Sequence, residues 1–234
     1  MPLEIEEKLQ VNSSRVFERI REEGHVGGNP IQRGRLALQH DTYLDTPGGH
    51  LYHSGASLRL REKDGRYVLT FKTPVEATHV RTEGEAFLTE DEASAALDGA
   101  LDLVDCDVAA AAIAYVGGSS LRAVLLVSNQ RETWNVTSAL GSMLMCFDWV
   151  QYSDPTGASE GRTAEEYELE LELQQGPRSL VSDAAQHLSR RFHLPAQARS
   201  KYERGVTLLG AFADDVAVPE RDAPVAVGRA LLTV

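Results

Sequence analysis

Six residues, Glu168-Leu169-Glu170-Leu171-Glu172-Leu173, alternate charge and hydrocarbon without a break. Side chains of a β-strand point to opposite faces in turn, whereas those of a helix advance by about 100° per residue. A helix would spread the glutamates around its circumference. A strand gathers all three on one face and the leucines on the other. An amphipathic strand at the edge of water shows the same alternation, so the run fixes a strand and leaves open what its charged face meets.

The same device recurs along the chain. At the amino terminus Glu4, Glu6 and Lys8 share a face, with Leu3, Ile5, Leu9 and Val11 opposite and Glu7 the exception. Arg59 and Arg61 are two apart and alternate with Leu58 and Leu60. Lys72 lies on a strand of opposite parity to Leu69 and Phe71, and Arg81, Glu83 and Glu85 again alternate. Asp148 interrupts the apolar run Met145-Cys146-Phe147-Asp148-Trp149-Val150. Basic faces of the middle strands thus complement carboxylate faces of the first and last. If the sheet curls into a barrel, the leucine faces pack against helices and the charged faces turn inward. A charged interior is tolerable only if it is wide, wet and filled by compensating charge. A polyanion with divalent cations supplies that: phosphates for the basic groups, hard metal ions for the carboxylates.

The connections support a curled antiparallel sheet. Asn12 or Ser13 caps a helix that stops at Gly24, and residues 24–34 read as a glycine-rich loop. Strands are expected over Leu36–Leu44, Ser57–Glu62, Tyr67–Thr73, Val80–Leu88, Met143–Tyr152 and Glu166–Gln174, with Leu121–Val136 one long strand or a hairpin. Asp64-Gly65 marks a tight hairpin turn, and Thr89-Glu90-Asp91-Glu92 a helix start. Further helices are expected over Leu101–Ala114 and Pro177–Phe192, and 199–204 is a short basic segment. About eight strands against three or four helices, mostly hairpin-linked, define an α+β chain dominated by its sheet. Residues 1–210 read as one domain and 211–234, with Pro219 and Pro224, as a tail or linker.

Composition narrows the chemistry. A net charge of −12 over 234 residues argues against nucleic acid as main partner and against an anionic membrane. Cys106 and Cys146 make no disulfide framework and no metal-ligand spacing, which fits a cytoplasmic protein. The acidic start is unlike a signal peptide, and no apolar run is long enough to span a bilayer. His40, His53 and His79 show no zinc spacing, and there is no phosphate-cradling glycine loop. Trp134 and Trp149 are read as core residues rather than base-stacking platforms.

Taken in order, Glu4-x-Glu6-x-Lys8, Tyr43-Leu44-Asp45-Thr46, Leu58-Arg59-Leu60-Arg61, Leu69-Thr70-Phe71-Lys72, Glu168-x-Glu170-x-Glu172 and Ser200-Lys201-Tyr202 resemble the CYTH superfamily, the triphosphate tunnel metalloenzymes. The resemblance runs from residue 4 to about 205 and implies an eight-stranded antiparallel closed β-barrel, a tunnel with surrounding helices. It implies that Lys8, Arg59, Arg61, Lys72, Arg131 and Lys201, joined by Arg81, clasp phosphate oxygens, with Lys8, Arg59, Arg61, Lys72 and Lys201 as the catalytic set. It implies that Glu4, Glu6, Glu170 and Glu172 hold Mg²⁺ or Mn²⁺, with Asp148 and Glu168 close by. The three-glutamate run leaves Glu168/Glu170 and Glu170/Glu172 both open as the metal pair.

The resemblance implies a hydrolase that releases the terminal phosphate of a triphosphate, inorganic tripolyphosphate first among candidates. A class IV adenylyl cyclase, a thiamine triphosphatase and a non-catalytic polyphosphate-binding module are the alternatives. The motifs read phosphates and not the organic group, so the partner is a triphosphate-containing small molecule whose remainder they leave open, as they do the oligomeric state.

Overall fold

The computed structural model describes residues 5–74, 81–155 and 162–212. The elements run β1 (Glu6–Val11), α1 (Ser14–Glu23), β2 (His25–Val26), β3 (Asn29–Asp45), α2 (His50–His53), β4 (Ser57–Lys63), β5 (Arg66–Pro74) and β6 (Arg81–Leu88). There follow α3 (Glu90–Leu97), a 3-10 turn (Leu101–Leu103), α4 (Asp107–Tyr115), β7 (Arg122–Ser138), β8 (Gly141–Ser153), β9 (Thr163–Gln175), α5 (Ser179–Phe192) and α6 (Lys201–Leu209). One antiparallel sheet takes the order β1-β9-β8-β7-β3-β4-β5-β6, with β2 hydrogen-bonded to β3 off that path.

The antiparallel sheet curls into the expected tunnel-like barrel with surrounding helices, but it has nine strands rather than eight, and among the described residues no ladder joins β1 to β6 to close it. Among the described residues β1 pairs only with β9 on one side. Its other edge is taken by the chain between α5 and α6: Gln10 N donates to Pro195 O at 2.9 Å, Gln197 N to Lys8 O at 2.8 Å, and Leu9 bridges Ala196. These bonds occupy the backbone groups that a closing strand would need. The result is a trough with one concave and one convex face.

Two apolar layers cover the convex face. Leu9 and Val11 of β1, Met143, Met145 and Phe147 of β8, and Leu169 and Leu171 of β9 pack under α1 and α5. Leu58 and Leu60 of β4, Leu69 and Phe71 of β5, and Leu88 of β6 pack under α3 and α4. The third cluster lies on the concave side. There Tyr202, Val206 and Leu209 of α6 pack on Tyr43, Leu125, Val127, Val150 and Tyr152, so α6 fills one end of the trough.

Three local expectations change. Residues 24–34 are not a loop: Val26 pairs with Asn29 across Gly27 and Gly28, both at positive φ, and β3 begins there. Paired glycines in left-handed conformations make a tight hairpin turn, which composition alone reads as loop. The segment Leu101–Ala114 is not one helix but a 3-10 turn and α4, broken where Cys106 caps α4 through Ala109 N. The basic segment 199–204 opens a full helix, α6, with a capping box between Ser200 and Glu203. The segment expected over Leu121–Val136 is one long strand, β7, which starts one residue later and runs two further. The boundary set at 210 falls two residues before the described chain ends, at Phe212.

Candidate active site

Cross-strand partners share a face, so the registers place the charged residues. Glu6 lies opposite Glu172 and Lys8 opposite Glu170. Asp148 lies opposite Glu168 on one side and Arg131 on the other. Arg61 faces Asp41, Arg59 faces both Tyr43 and Thr70, and Lys72 faces Glu83. The leucines of β9 lie in the convex core, so all of these side chains share the concave face. Glu4 and the side chain of Arg81 lie outside the described residues. The remaining expected site residues are brought to one side of one sheet.

They fall into two groups. The first surrounds Lys201, whose Nζ reaches Asp148 at 3.0 Å, Glu170 at 2.6 Å and Glu168. Arg131 forks onto Asp148 at 2.8 and 2.6 Å and also meets Glu170. Ligand oxygens of Asp148, Glu168 and Glu170 lie within 4.8 Å of one another, and all three residues are buried. At the β1 side Lys8 pairs with Glu6 at 2.5 Å, and Gln174 donates to Glu172 at 2.9 Å. The second group belongs to β3, β4 and β5. Arg61 forks onto Asp41 at 2.6 and 2.7 Å, Arg59 donates to Thr70 Oγ1 at 3.2 Å, and Lys72 pairs with Glu83 at 2.9 Å.

The protonation states follow from this pairing. Burial disfavours the charge on Lys201, but Asp148, Glu170 and Glu168 outweigh it and hold its pKa well above the ordinary lysine value. Burial likewise opposes the charge of Glu170, yet Lys201 and Arg131 keep its carboxyl well below the usual range. Burial pushes Glu168 the other way, up to about 7, because Lys201 only partly offsets it and Glu170 adds like charge. Two neighbouring carboxylates are thus driven apart, one firmly ionised and one near neutrality. Burial also lifts the Cys146 thiol to about 11, so the sulfur on this face is not a thiolate at neutral pH.

Sequence reasoning missed several supports. Asp41, whose side chain is 1% exposed, fixes Arg61 and stands 3.9 Å from Arg59. Its parity with Gln39 and Tyr43 on β3 is a signal that reads it onto the same face. Arg204 meets Glu166 and Glu168 at 2.6 Å each and so ties α6 to β9. Tyr202 donates to Asp45 at 2.6 Å and stacks on Tyr43 at 4.8 Å, so α6 and its Lys201 are held at a second point. Asp45 also accepts from the backbone N–H groups of Thr46, Leu51 and Tyr52, which gives the motif Tyr43-Leu44-Asp45-Thr46 a physical reason. Trp134 and Trp149 do not face the trough: Trp134 packs against the convex core, and Trp149 donates to Glu165 at 3.3 Å.

A CYTH domain family model matches residues 2–205. No curated protein matches the sequence. Among solved structures, a protein of Bacillus halodurans described as a candidate adenylate cyclase aligns over 86% of this chain and 96% of its own, with 24% identity and a TM-score of 0.63. A Hippeastrum protein described as a candidate adenylyl cyclase with a dominant triphosphatase activity aligns over 88% and 96%, with 17% identity and a TM-score of 0.64. A Pyrococcus horikoshii protein aligns over 87% and 98%, with 21% identity and a TM-score of 0.51. At these identities the likeness is one of fold, and the family model, spanning nearly the whole sequence, establishes that the chain belongs to the CYTH domain family.

Proposed function

We propose that the protein is a divalent-metal-dependent hydrolase of triphosphates, with inorganic tripolyphosphate as first substrate. One observation carries this reading. A single concave face holds both a cluster of carboxylates and six lysines and arginines, Lys8, Arg59, Arg61, Lys72, Arg131 and Lys201. Arginine forks match phosphate oxygens, and lysine contributes compact positive charge. Arg59, Arg61, Arg131, Lys8, Lys72 and Lys201 bind and orient the polyphosphate, and Arg81 extends the set at the start of β6.

The donor chemistry fits Mg²⁺ or Mn²⁺. Asp148, Glu168 and Glu170 offer oxygen alone, and the nearby thiol is protonated. Glu168 is held by Lys201 and Arg204 and Glu170 by Lys201 and Arg131, whereas Glu172 has Gln174 as its hydrogen-bond partner, so Glu172 with Glu6 opposite and Glu170 beside them is the favoured ligand set and Asp148 supports it. Glu4 belongs with Glu6 by parity. A divalent ion bound there supplies Lewis-acid charge to phosphate oxygens and to water. Lys201 balances the carboxylates before any ligand arrives and offers its charge to a phosphate afterwards.

An organic triphosphate has one observation in its favour. Phe87 pairs with Val68 in the row of Arg61, and its ring is 78% exposed on the concave side. Incubation with tripolyphosphate, ATP and thiamine triphosphate under Mg²⁺ or Mn²⁺, followed by separation of products, tests the reading. Phosphate released fastest from tripolyphosphate is the expected result. Pyrophosphate with cyclic AMP from ATP would assign a cyclase, and tight binding without turnover a polyphosphate-binding module.

A further inference from the structure

The cations of the trough are each balanced by a carboxylate: Lys8 by Glu6, Arg59 and Arg61 by Asp41, Lys72 by Glu83, and Arg131 and Lys201 by Asp148 and Glu170. Two cations on the same face break the pattern. Lys63 follows Arg61 by two residues on β4, and Arg66 lies directly opposite it across the β4–β5 hairpin. Among the described residues no carboxylate lies within ion-pair distance of either. Of the two acids near the turn, Glu62 alternates onto the opposite face from Lys63, and Asp64 is engaged by Arg35 at 2.6 Å. Like charges directly opposite on a strand pair are destabilising. The turn forces them together, since Asp64 and Gly65 both adopt positive φ and close the hairpin in two residues.

The register fixes where this pair lies. Arg59 pairs with Tyr43 and Arg61 with Asp41, so Lys63 is one step further from Tyr43 and from α6, which packs on Tyr43. Adjacent inward positions on a strand are separated by about 7 Å. We propose that Lys63 and Arg66 form an outer anion subsite at the end of the trough away from α6, which takes a phosphate beyond the three held by the inner cations and thereby favours linear polyphosphates of four or more units. This rests on the triphosphate reading above and extends it along the trough. Burial first, then the charges of Arg35, Arg61 and Arg131, offset only in part by Asp64, hold the Lys63 ammonium below its ordinary pKa. Half-buried, it gains more from an arriving anion than a solvated surface lysine does.

The test compares tripolyphosphate and tetrapolyphosphate by calorimetric titration of the whole chain in chelator, for the parent and for Lys63→Gln combined with Arg66→Gln. Among the described residues no hydrogen bond or ion pair joins either residue to the inner group, and both sit at the hairpin end, Arg66 exposed and Lys63 half-buried. The double variant is expected to lose about tenfold in affinity for tetrapolyphosphate, the scale of one charge-assisted hydrogen bond, and less than about twofold for tripolyphosphate. Equal losses for the two ligands would reduce the pair to general attraction and overturn the subsite. So would no loss for either. Failure of the parent to bind tripolyphosphate at all would overturn the triphosphate reading itself, an outcome separate from the other two.

Discussion

At the scale of single residues, the buried carboxylate Asp41 is the most informative. Burial pushes its pKa upward, but the hydrogen bonds from Arg61 and the charges of Arg59 and Arg61 outweigh it and hold the carboxyl below the ordinary aspartate value. A carboxyl depressed on folding stabilises the native state fully above its unfolded pKa, and that stability fades as pH falls through the folded value. Asp41→Asn is therefore expected to cost about 1–3 kcal/mol at pH 7, where it strips a charged partner from Arg61. The gap between variant and parent should narrow as pH falls below the ordinary aspartate pKa of about 3.9. Urea unfolding from pH 3 to 7 measures it, and a gap independent of pH would refute the assignment. The same pair shows which arginine to truncate. Arg61→Ala leaves Asp41 buried without its fork, so binding and stability change together. Arg59→Ala gives up one bond to Thr70 and a 3.9 Å approach to Asp41. It should leave the melting temperature of the ligand-free protein nearly unchanged while costing one to two decades in tripolyphosphate affinity, about 1.5–3 kcal/mol per charged contact.

Among the elements, α6 joins the site to the fold. Its first residue, Lys201, sits among Asp148, Glu168 and Glu170, while the rest of the helix packs into the trough. Gly205 makes this possible: a Cβ there would come within 2.5 Å of Leu125 and 2.6 Å of Tyr152. Gly205→Ala should push the helix outward at a cost of about 1–3 kcal/mol, and kcat should fall further than the loss of folded protein explains, because Lys201 moves with the helix. Activity normalised to the folded fraction checks this, and a value equal to the parent's would show that the helix does not set Lys201. The sequence hides this element for a physical reason. A mid-helix glycine reads against helix, and its benefit comes only from a close approach that no local pattern shows. The strands were legible because alternation of charge and leucine is a local signal. So were the hairpin at Asp64-Gly65 and the capping box at Thr89. The hairpin at Gly27-Gly28 was not, because its turn and its polar strand both look like loop.

For the whole molecule the question is how a trough lined with carboxylates stays folded before a metal arrives. Parity alone suggests mutual repulsion, relieved by removing any one acid. The structure gives a different answer, since most of these acids are paired: Glu170 meets Arg131 and Lys201, and Glu168 meets Lys201 and Arg204. Closure was illegible for a similar reason. The free edge of β1 is taken by the 195–197 segment, far from it in sequence, and no local pattern shows that docking. The metal test must therefore separate pairing from coordination. Glu172 has Gln174 as its hydrogen-bond partner and is half-buried opposite Glu6. Glu172→Gln should leave the melting temperature of the metal-free protein about where it was, whereas Glu170→Gln should lower it by stranding two cations. Added Mg²⁺ or Mn²⁺ stabilises whatever binds it only when folded, by about 2.7 kcal/mol at a hundredfold excess over Kd, or roughly 5–10 °C for a chain of this size. Both variants should lose most of that rise. If Glu172→Gln keeps the full metal-induced rise, the ion is held by Glu168 and Glu170 instead, and the alternation of β9 is serving the fold at its outer end rather than the metal.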